Sequence, residues 1–290
     1  MRLGALEAGG TKMVLSVGDE HGVVFERTSI PTLEPDVTIP EIIAYFSKQN
    51  ICALGIGSFG PIELNSSSDH YGYLTTTPKR EWVNYPMLPK LKQALGVPVK
   101  IDTDVNAAAL AEHRYGAAKG LNSCLYVTVG TGVGGGIIAE GELVHGLLHP
   151  ELGHMLIVPS QDDPMPDGIC SYHKHCLEGL ASGASMSKRW GIAAYEIPQD
   201  HPAWELETEY LSQMCANAIL CFSPSRIILG GGVMHQAFLF QRIRARTKEL
   251  LGGYVRHPVI ENAIDAYIVP PGLGDDSGVV GALILASEAV

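Results

Sequence analysis

Apolar positions along the chain alternate between a period of two and a period of three to four, so strands and helices take turns. Residues 2–6 and 12–17 read as short strands flanking Glu7-Ala8-Gly9-Gly10-Thr11, and 22–28 adds a third strand. A helix is predicted over 39–49. A strand over 51–56 ends in Gly57-Ser58-Phe59-Gly60-Pro61. The polar stretch 62–86 reads as loop with short extended pieces, and 87–95 as a short helix. A strand over 97–101 then leads through Asp102-Thr103-Asp104 into an Ala-rich helix over about 105–115, with Gly116 as its C-cap.

A second round follows. A strand over 123–129 runs into Gly130-Thr131-Gly132-Val133-Gly134-Gly135-Gly136 and a further strand over 137–139. Residues 150–182 are rich in His, Cys and Asp and weakly periodic. Helices are expected over 203–222 and from Gly230-Gly231-Gly232 to about 251. Strands are expected over 226–229 and 264–269, and a closing helix over 277–289. The alternation indicates α/β architecture. Strand, Gly-Thr turn, strand occurs near residue 10 and again near residue 131, a faint internal repeat of two related halves. At roughly 150 residues per domain, 290 residues suggest two domains.

Composition narrows the classes. With 20 Lys and Arg against 31 Asp and Glu, the net charge is −11, which disfavours nucleic-acid binding. The one basic cluster, Arg242, Arg244, Arg246 and Lys248, spreads around a predicted helix and reads as a solvated face. No run of about 20 apolar residues predicts a membrane span. An acid and two glycines interrupt the first ten residues before a signal-peptide core forms, so a cytoplasmic protein is expected. The 33 glycines are bunched rather than periodic, which suggests backbone packed closely around a ligand.

Gly55-x-Gly57-x-x-Gly60 and Gly130-x-Gly132-x-x-Gly135 match the dinucleotide pattern, but neither is followed by the helix that the pattern needs. The Walker pattern is absent. Tight Gly-Thr turns instead expose consecutive backbone N–H groups, and such nests bind phosphate oxygens. Two of them, on opposite halves, could hold a triphosphate across a cleft. Cys52, Cys124, Cys215 and Cys221 sit among apolar or small residues and read as inert thiols. Cys170 and Cys176 differ. His154, Cys170, His173 and Cys176 have the donor set and spacing of a tetrahedral zinc site, with His175 as a competing fourth ligand. No open coordination position remains, so such a zinc is structural.

Together these pieces resemble the ROK family of sugar kinases and repressors, and within it the bacterial fructokinases. The carrying residues include Leu6-Glu7-Ala8-Gly9-Gly10-Thr11-Lys12, Thr75-Thr76-Thr77-Pro78-Lys79 with Trp82, Thr103-Asp104-Val105-Asn106, the Gly130 loop, His149-Pro150-Glu151-Leu152-Gly153-His154 and Gly230-Gly231-Gly232-Val233. The resemblance implies a two-lobed actin/hexokinase-like (ribonuclease H-like) fold with ATP and the active site in the interdomain cleft. Residues 1–115 would form the N-terminal lobe, joined by a closing helix over 277–290. Residues 116–276 would form the C-terminal lobe, with a zinc-stapled segment over 150–182.

The resemblance also implies roles. Asp104 looks like the general base, at a strand end and a helix start, with Asp102 as the alternative. Gly60, Lys79, Thr103, Glu151, His154 and Glu178 would line the sugar pocket, His154 sharing its ring between sugar and zinc. Gly9, Gly10, Thr11 and Lys12 would face the terminal phosphates, Thr131 and Gly132 the middle ones, and Gly183 and Gly231 the nucleoside. Mg²⁺ would bridge the phosphates. The sequence departs from the wider family at Glu7 (usually Asp), at His173 (often Cys), at Thr103 (commonly Asn) and at Lys79 (Asn in glucokinase relatives). These departures point toward fructose. A mannose- or glucose-preferring or broad hexokinase is the alternative. A repressor would carry an added helix-turn-helix, for which a first strand beginning by Leu3 leaves no room. A silent sugar sensor would have no chemical use for Asp104. Partners are therefore a hexose and ATP, and the resemblance suggests a homodimer.

Overall fold

Side chains of the first strands divide between two cores. Leu6, Ala8, Met13, Leu15 and Val17 point to one face of a sheet, and Leu3, Ala5 and Val14 to the other. That is the period-two alternation of a sheet buried on both sides. The computed structural model describes residues 1–290, which form two units. One comprises Met1–Gly116, Leu143–Pro150 and Asp276–Val290; the other comprises Ala117–Glu142 and Glu151–Asp275. No helix is long and apolar enough to cross a membrane.

The first unit opens with β1 (Leu3–Ala8), β2 (Lys12–Gly18) and β3 (Val24–Pro31), an antiparallel meander. Helix α1 (Pro35–Phe46) follows, then β4 (Ala53–Ser58), α2 (Met87–Leu95), β5 (Val99–Thr103) and α3 (Asp104–Arg114). The strand order is β3-β2-β1-β4-β5, with β4 parallel to both β1 and β5. Helix α1 begins four residues before the sequence pattern suggests, because Pro35 supplies a preset φ in the first turn, where its missing N–H costs nothing.

The second unit repeats the plan. Strands β6 (Cys124–Val129) and β7 (Val133–Ala139) are antiparallel, and β8 (Glu142–Leu143) lies beside β7. Short helices α4 (Leu177–Ala181) and α5 (Gly183–Trp190) precede the 20-residue α6 (Ala203–Phe222). Strand β9 (Ile227–Gly230), α7 (Phe238–Leu251), α8 (Pro258–Asn262) and β10 (Ile268–Val269) follow. The order β10-β9-β6-β7-β8, with β9 parallel to β6 and to β10, matches that of the first sheet strand for strand. Strand β7 takes in Gly134-Gly135-Gly136, which the sequence pattern leaves as loop; β6 supplies the ladder partners that glycine propensity does not predict. The strand expected over 264–269 shrinks to two residues, since 264–266 form a 3₁₀ turn.

Helix α9 (Ser277–Ser287) completes the first unit. It is apolar on every side: Val279, Val280, Leu283, Ile284 and Leu285 are all buried. Such a helix belongs inside a core. Close approach is built in at Gly281, where a Cβ would overlap the Ala107 carbonyl of α3, and at Gly55 of β4, where it would overlap the Ala282 carbonyl. Backbone therefore packs on backbone, at the cost of excluding any larger residue.

Candidate functional site

Three strand ends of the first unit come together around α3. The turn after β1 is held by Thr32, whose hydroxyl donates to Gly9 O at 2.7 Å and whose N–H donates to Thr11 O at 3.0 Å. The chain leaving β4 is tied to β1, with Phe59 N–H donating to Ala8 O at 2.8 Å. It passes through the cis Gly60–Pro61 peptide into loop. At the end of β5, the Thr103 hydroxyl accepts from Asn106 N–H at 3.1 Å and caps α3. Asp104 is thus the first residue of the helix rather than its cap.

Asp104 and Asp102 have opposite surroundings. Asp102 is 4% exposed and fully engaged. Its Oδ1 accepts from Thr103 N–H at 2.8 Å and Asn106 Nδ2 at 2.7 Å, and its Oδ2 lies 2.9 Å from His145 Nε2. That pairing raises the pKa of His145 through the hydrogen bond to Asp102. Asp102 is an anchor, both of its oxygens being engaged by partners within the fold. The carboxylate of Asp104 is bonded only by the helix start, through Val105 N–H at 2.9 Å. Desolvation pushes its pKa up to about 6, against the backbone bonds that favour its charge. Glu7, at the end of β1, is pushed up to about 7 by burial first and by the Asp104 charge second. Near neutrality Asp104 is mostly ionised while Glu7 is close to half-protonated.

Gly9, Gly10, Thr11 and Lys12 form the β1–β2 turn as the sequence suggests, and Thr11 and Lys12 are exposed. Lys79 is half-buried, with its Cε 4.0 Å from where a Gly10 Cβ would stand. Two histidines hold the segment before Glu151: His145, which carries no sequence motif, and His149, to which the motif assigns no role. Besides His145 on Asp102, His149 Nε2 accepts from Ile62 N–H at 3.0 Å, and burial lowers the His149 pKa. The density of histidines over 145–154 was the available signal; the partners, far away in sequence, were not.

In the second unit the Gly130 turn is likewise built from backbone. Gly130 N–H donates to Gly132 O at 2.9 Å, and Gly183 N–H, at the start of α5, donates to Gly130 O at 2.7 Å. Gly231 follows β9 at φ 87°, packed against the Val129 backbone. Thr131, Gly132, Gly183 and Gly231 therefore share one neighbourhood, with Thr131 exposed. Glu178 of α4 reaches the same turn: its Oε2 accepts from Val133 N–H at 3.1 Å. Exposed Glu151 precedes a 3₁₀ turn over Leu152–His154. There Gly153 is required, because a Cβ would overlap the Val133 carbonyl. Neither glycine loop leads into a helix: one runs to Pro61 and loop, the other into β7.

His154, Cys170, His173 and Cys176 converge, with one donor atom from each lying within 4.8 Å of the others. His154 Nδ1 is 3.8 Å from both Cys170 Sγ and Cys176 Sγ, and Cys170 Sγ is 3.7 Å from His173 Nδ1. Zinc–ligand bonds of about 2.3 Å to sulfur and 2.0 Å to nitrogen at a tetrahedral angle give nitrogen–sulfur edges of roughly 3.5 Å, close to these distances, so the donor set suits that ion. The Gly179 N–H points at Cys176 Sγ at 3.3 Å, which favours a thiolate. Without a cation, burial pushes the Cys176 thiol up to about 11. His175 is turned away and lies 3.3 Å from Asp167.

Comparison with known proteins adds a family. The model of the ROK family matches residues 3–289. The chain is 45% identical to a fructokinase of Pediococcus pentosaceus over 100% of this chain and 99% of that one. It is 41% identical to a fructokinase of Zymomonas mobilis over 99% and 96%. Among solved structures it is similar to a ROK family glucokinase from Streptomyces griseus in complex with glucose and AMPPNP, with a TM-score of 0.80 and 26% identity over 99% and 100% of the two chains.

Proposed function

This chain belongs to the ROK family, and on that footing we propose that it is an ATP-dependent fructokinase, converting D-fructose to D-fructose 6-phosphate with Asp104 as general base. Similarity to fructokinases at 45% and 41% identity over nearly the whole chain supports the sugar. The desolvated Asp104 carboxylate, bonded only at the helix start, carries the mechanism.

The base takes the proton of the C6 hydroxyl as that oxygen attacks the terminal phosphorus of ATP. The new O–P bond forms while the bond to the ADP oxygen breaks. The proton leaves Asp104 to solvent afterwards. A pKa of about 6 leaves the base charged near neutrality yet more basic than an exposed Asp. Backbone N–H groups of Gly10, Thr11, Thr131 and Gly132 orient the phosphates, while Gly9 N–H closes the first turn by donating to Lys12 O at 3.0 Å. Gly183 and Gly231 flank the nucleoside. Gly60, Thr103, Glu151, His154 and Glu178 contact the hexose. Mg²⁺ neutralises phosphate charge when bound. His154, Cys170, His173 and Cys176 would hold a zinc ion, which would supply a cross-link that fixes the His154 ring.

The test is ADP release from Mg-ATP across fructose, mannose, glucose, N-acetylglucosamine and no sugar. Fructose is expected to give the highest kcat/KM. A preference for mannose or glucose would overturn the choice of sugar while leaving the base in place.

A further inference from the structure

We infer that Lys79 acts on the phosphoryl group in transfer, and not on a sugar hydroxyl; this rests on the kinase reading above. Position comes first. Lys79 Cε is the one atom within 4 Å of the point where a Gly10 Cβ would stand. The lysine stem therefore lies against the open side of the Gly9–Gly10–Thr11 turn, whose Gly10 and Thr11 N–H groups suit phosphate oxygens, Gly9 N–H being held by Lys12 O.

The placement is built, not incidental. Thr32 clamps the turn with two hydrogen bonds, to Gly9 O and to Thr11 O. The next residue, Leu33, accepts from the Trp82 indole N–H at 2.9 Å. Trp82 is 1% exposed, packs edge-on against Phe59 at 5.7 Å, and its backbone N–H donates to Lys79 O at 2.9 Å. Lys79 N–H in turn donates to the Thr77 hydroxyl at 3.3 Å. A short chain of bonds thus ties the lysine backbone to the glycine turn through one buried tryptophan. Hydrogen bonds within a packed unit transmit position to a few tenths of an ångström.

Charge points the same way. The Lys79 ammonium is half-buried and enters no ion pair within the protein. Glu7 and Asp104, by contrast, make this end of β1 acidic: burial raises the proton affinity of both, and the Asp104 charge adds to that of Glu7. A polyanionic phosphoryl group approaching two carboxylates needs a fixed cation, and a lysine supplies a point charge that strengthens as charge shifts onto the departing bridging oxygen. A sugar hydroxyl, being neutral, would not need the charge.

The test uses the zinc-replete full chain with Lys79→Met, which keeps the stem, and Lys79→Arg, which keeps the charge. The readouts are kcat, KM for fructose, calorimetric affinity for fructose, and affinity for Mg-ADP with aluminium fluoride, a mimic of the group in transfer. Lys79→Met is expected to lower kcat by about 10²-fold and to weaken the aluminium fluoride complex comparably, with fructose affinity within about twofold. Lys79→Arg should recover part of both. Fructose affinity weakened tenfold or more, with kcat near wild type and the aluminium fluoride complex intact, would overturn the assignment while leaving the kinase reading standing. A wild-type protein that phosphorylates no hexose would instead overturn the kinase reading and this inference with it.

Discussion

The two sheets share one plan and put it to different use. In each, a central strand turns back through a Gly-Thr turn into an antiparallel neighbour and has two parallel strands on its other side. Around the Gly10 turn lie a threonine clamp, a lysine and two desolvated carboxyls. Around the Gly130 turn lie a glycine N–H from α5 and a carboxylate that accepts from Val133 N–H. The first unit is closed by a buried apolar helix, the second by a Cys/His cluster. Topology therefore places a tight turn at the same point of each sheet, and the side chains beside it differ: desolvated carboxyls and a lysine at one, Glu178 and a helix-start N–H at the other. A duplicated frame leaves room for such differences.

The sharpest way to break the comparison is at the base. Asp104→Asn is expected to lower kcat by about 10³-fold, with fructose affinity measured by calorimetry changed by less than about threefold. The equivalent change at Asp102 would act differently. Asp102→Asn disturbs the bonds to Asn106 and His145, so it should lower the melting temperature along with the rate.

Metal removal should separate the two halves. Chelation, or Cys176→Ser, is expected to cost the second unit about 3–5 kcal/mol and to increase hydrogen exchange over 150–182. Exchange in β1, β4 and α9 should stay near its original rate. Loss of protection there as well would mean that the cluster is not a local staple. Gly281→Ala is the mirror experiment: with its Cβ forced onto the Ala107 carbonyl, it should destabilise the first unit by about 3 kcal/mol, read as a fall in melting temperature.

Smaller and finer is the pH dependence. The folded-state pKa of Asp104 is raised to about 6 and that of Glu7 to about 7. Activity should fall as pH drops through 6, by up to about tenfold per unit, because the base is then protonated. Stability runs the opposite way. A carboxyl whose pKa is raised on folding favours the fold fully below its unfolded value near 4 and loses that contribution as pH rises through 6 to 7. Asp104→Asn should therefore be more stable than the wild type at pH 8, by up to about 3 kcal/mol, and equal to it at pH 4. Equal melting temperatures at both pH values would show that Asp104 is not desolvated.

Much of this could be read from residue order, for local reasons. Strands β1 and β2 and the closing helix α9 are apolar runs of distinct length, and α2 has an amphipathic period with a local stop signal in Gly96. The second half of strand β7 is legible over 137–139, but its first half is not, because three glycines carry no β propensity and pair only through the ladder with β6. Helix α1 was placed late because the meaning of Pro35 depends on whether it starts a helix or breaks one. At the sites, donor types and spacing marked the Cys/His set. Choosing between Asp102 and Asp104 required their neighbours: Asn106 and His145 occupy one, and a helix start touches the other. Thr32 carried no signal at all, since its importance lies in two bonds to residues more than 20 positions earlier.

The return of α9 has a consequence for how the chain is made. Its core partners include Leu3, Ala5 and Ala53, near the opposite end of the chain. During synthesis the second unit has all its residues emerged before the first does, although the first starts earlier. Until α9 leaves the ribosome, the β1 and β4 face it covers is an apolar surface without a lid, exposed throughout translation of everything between. The order in which the halves are written is therefore the reverse of the order in which they can be finished, and the nascent first half is the part that a chaperone would have to guard.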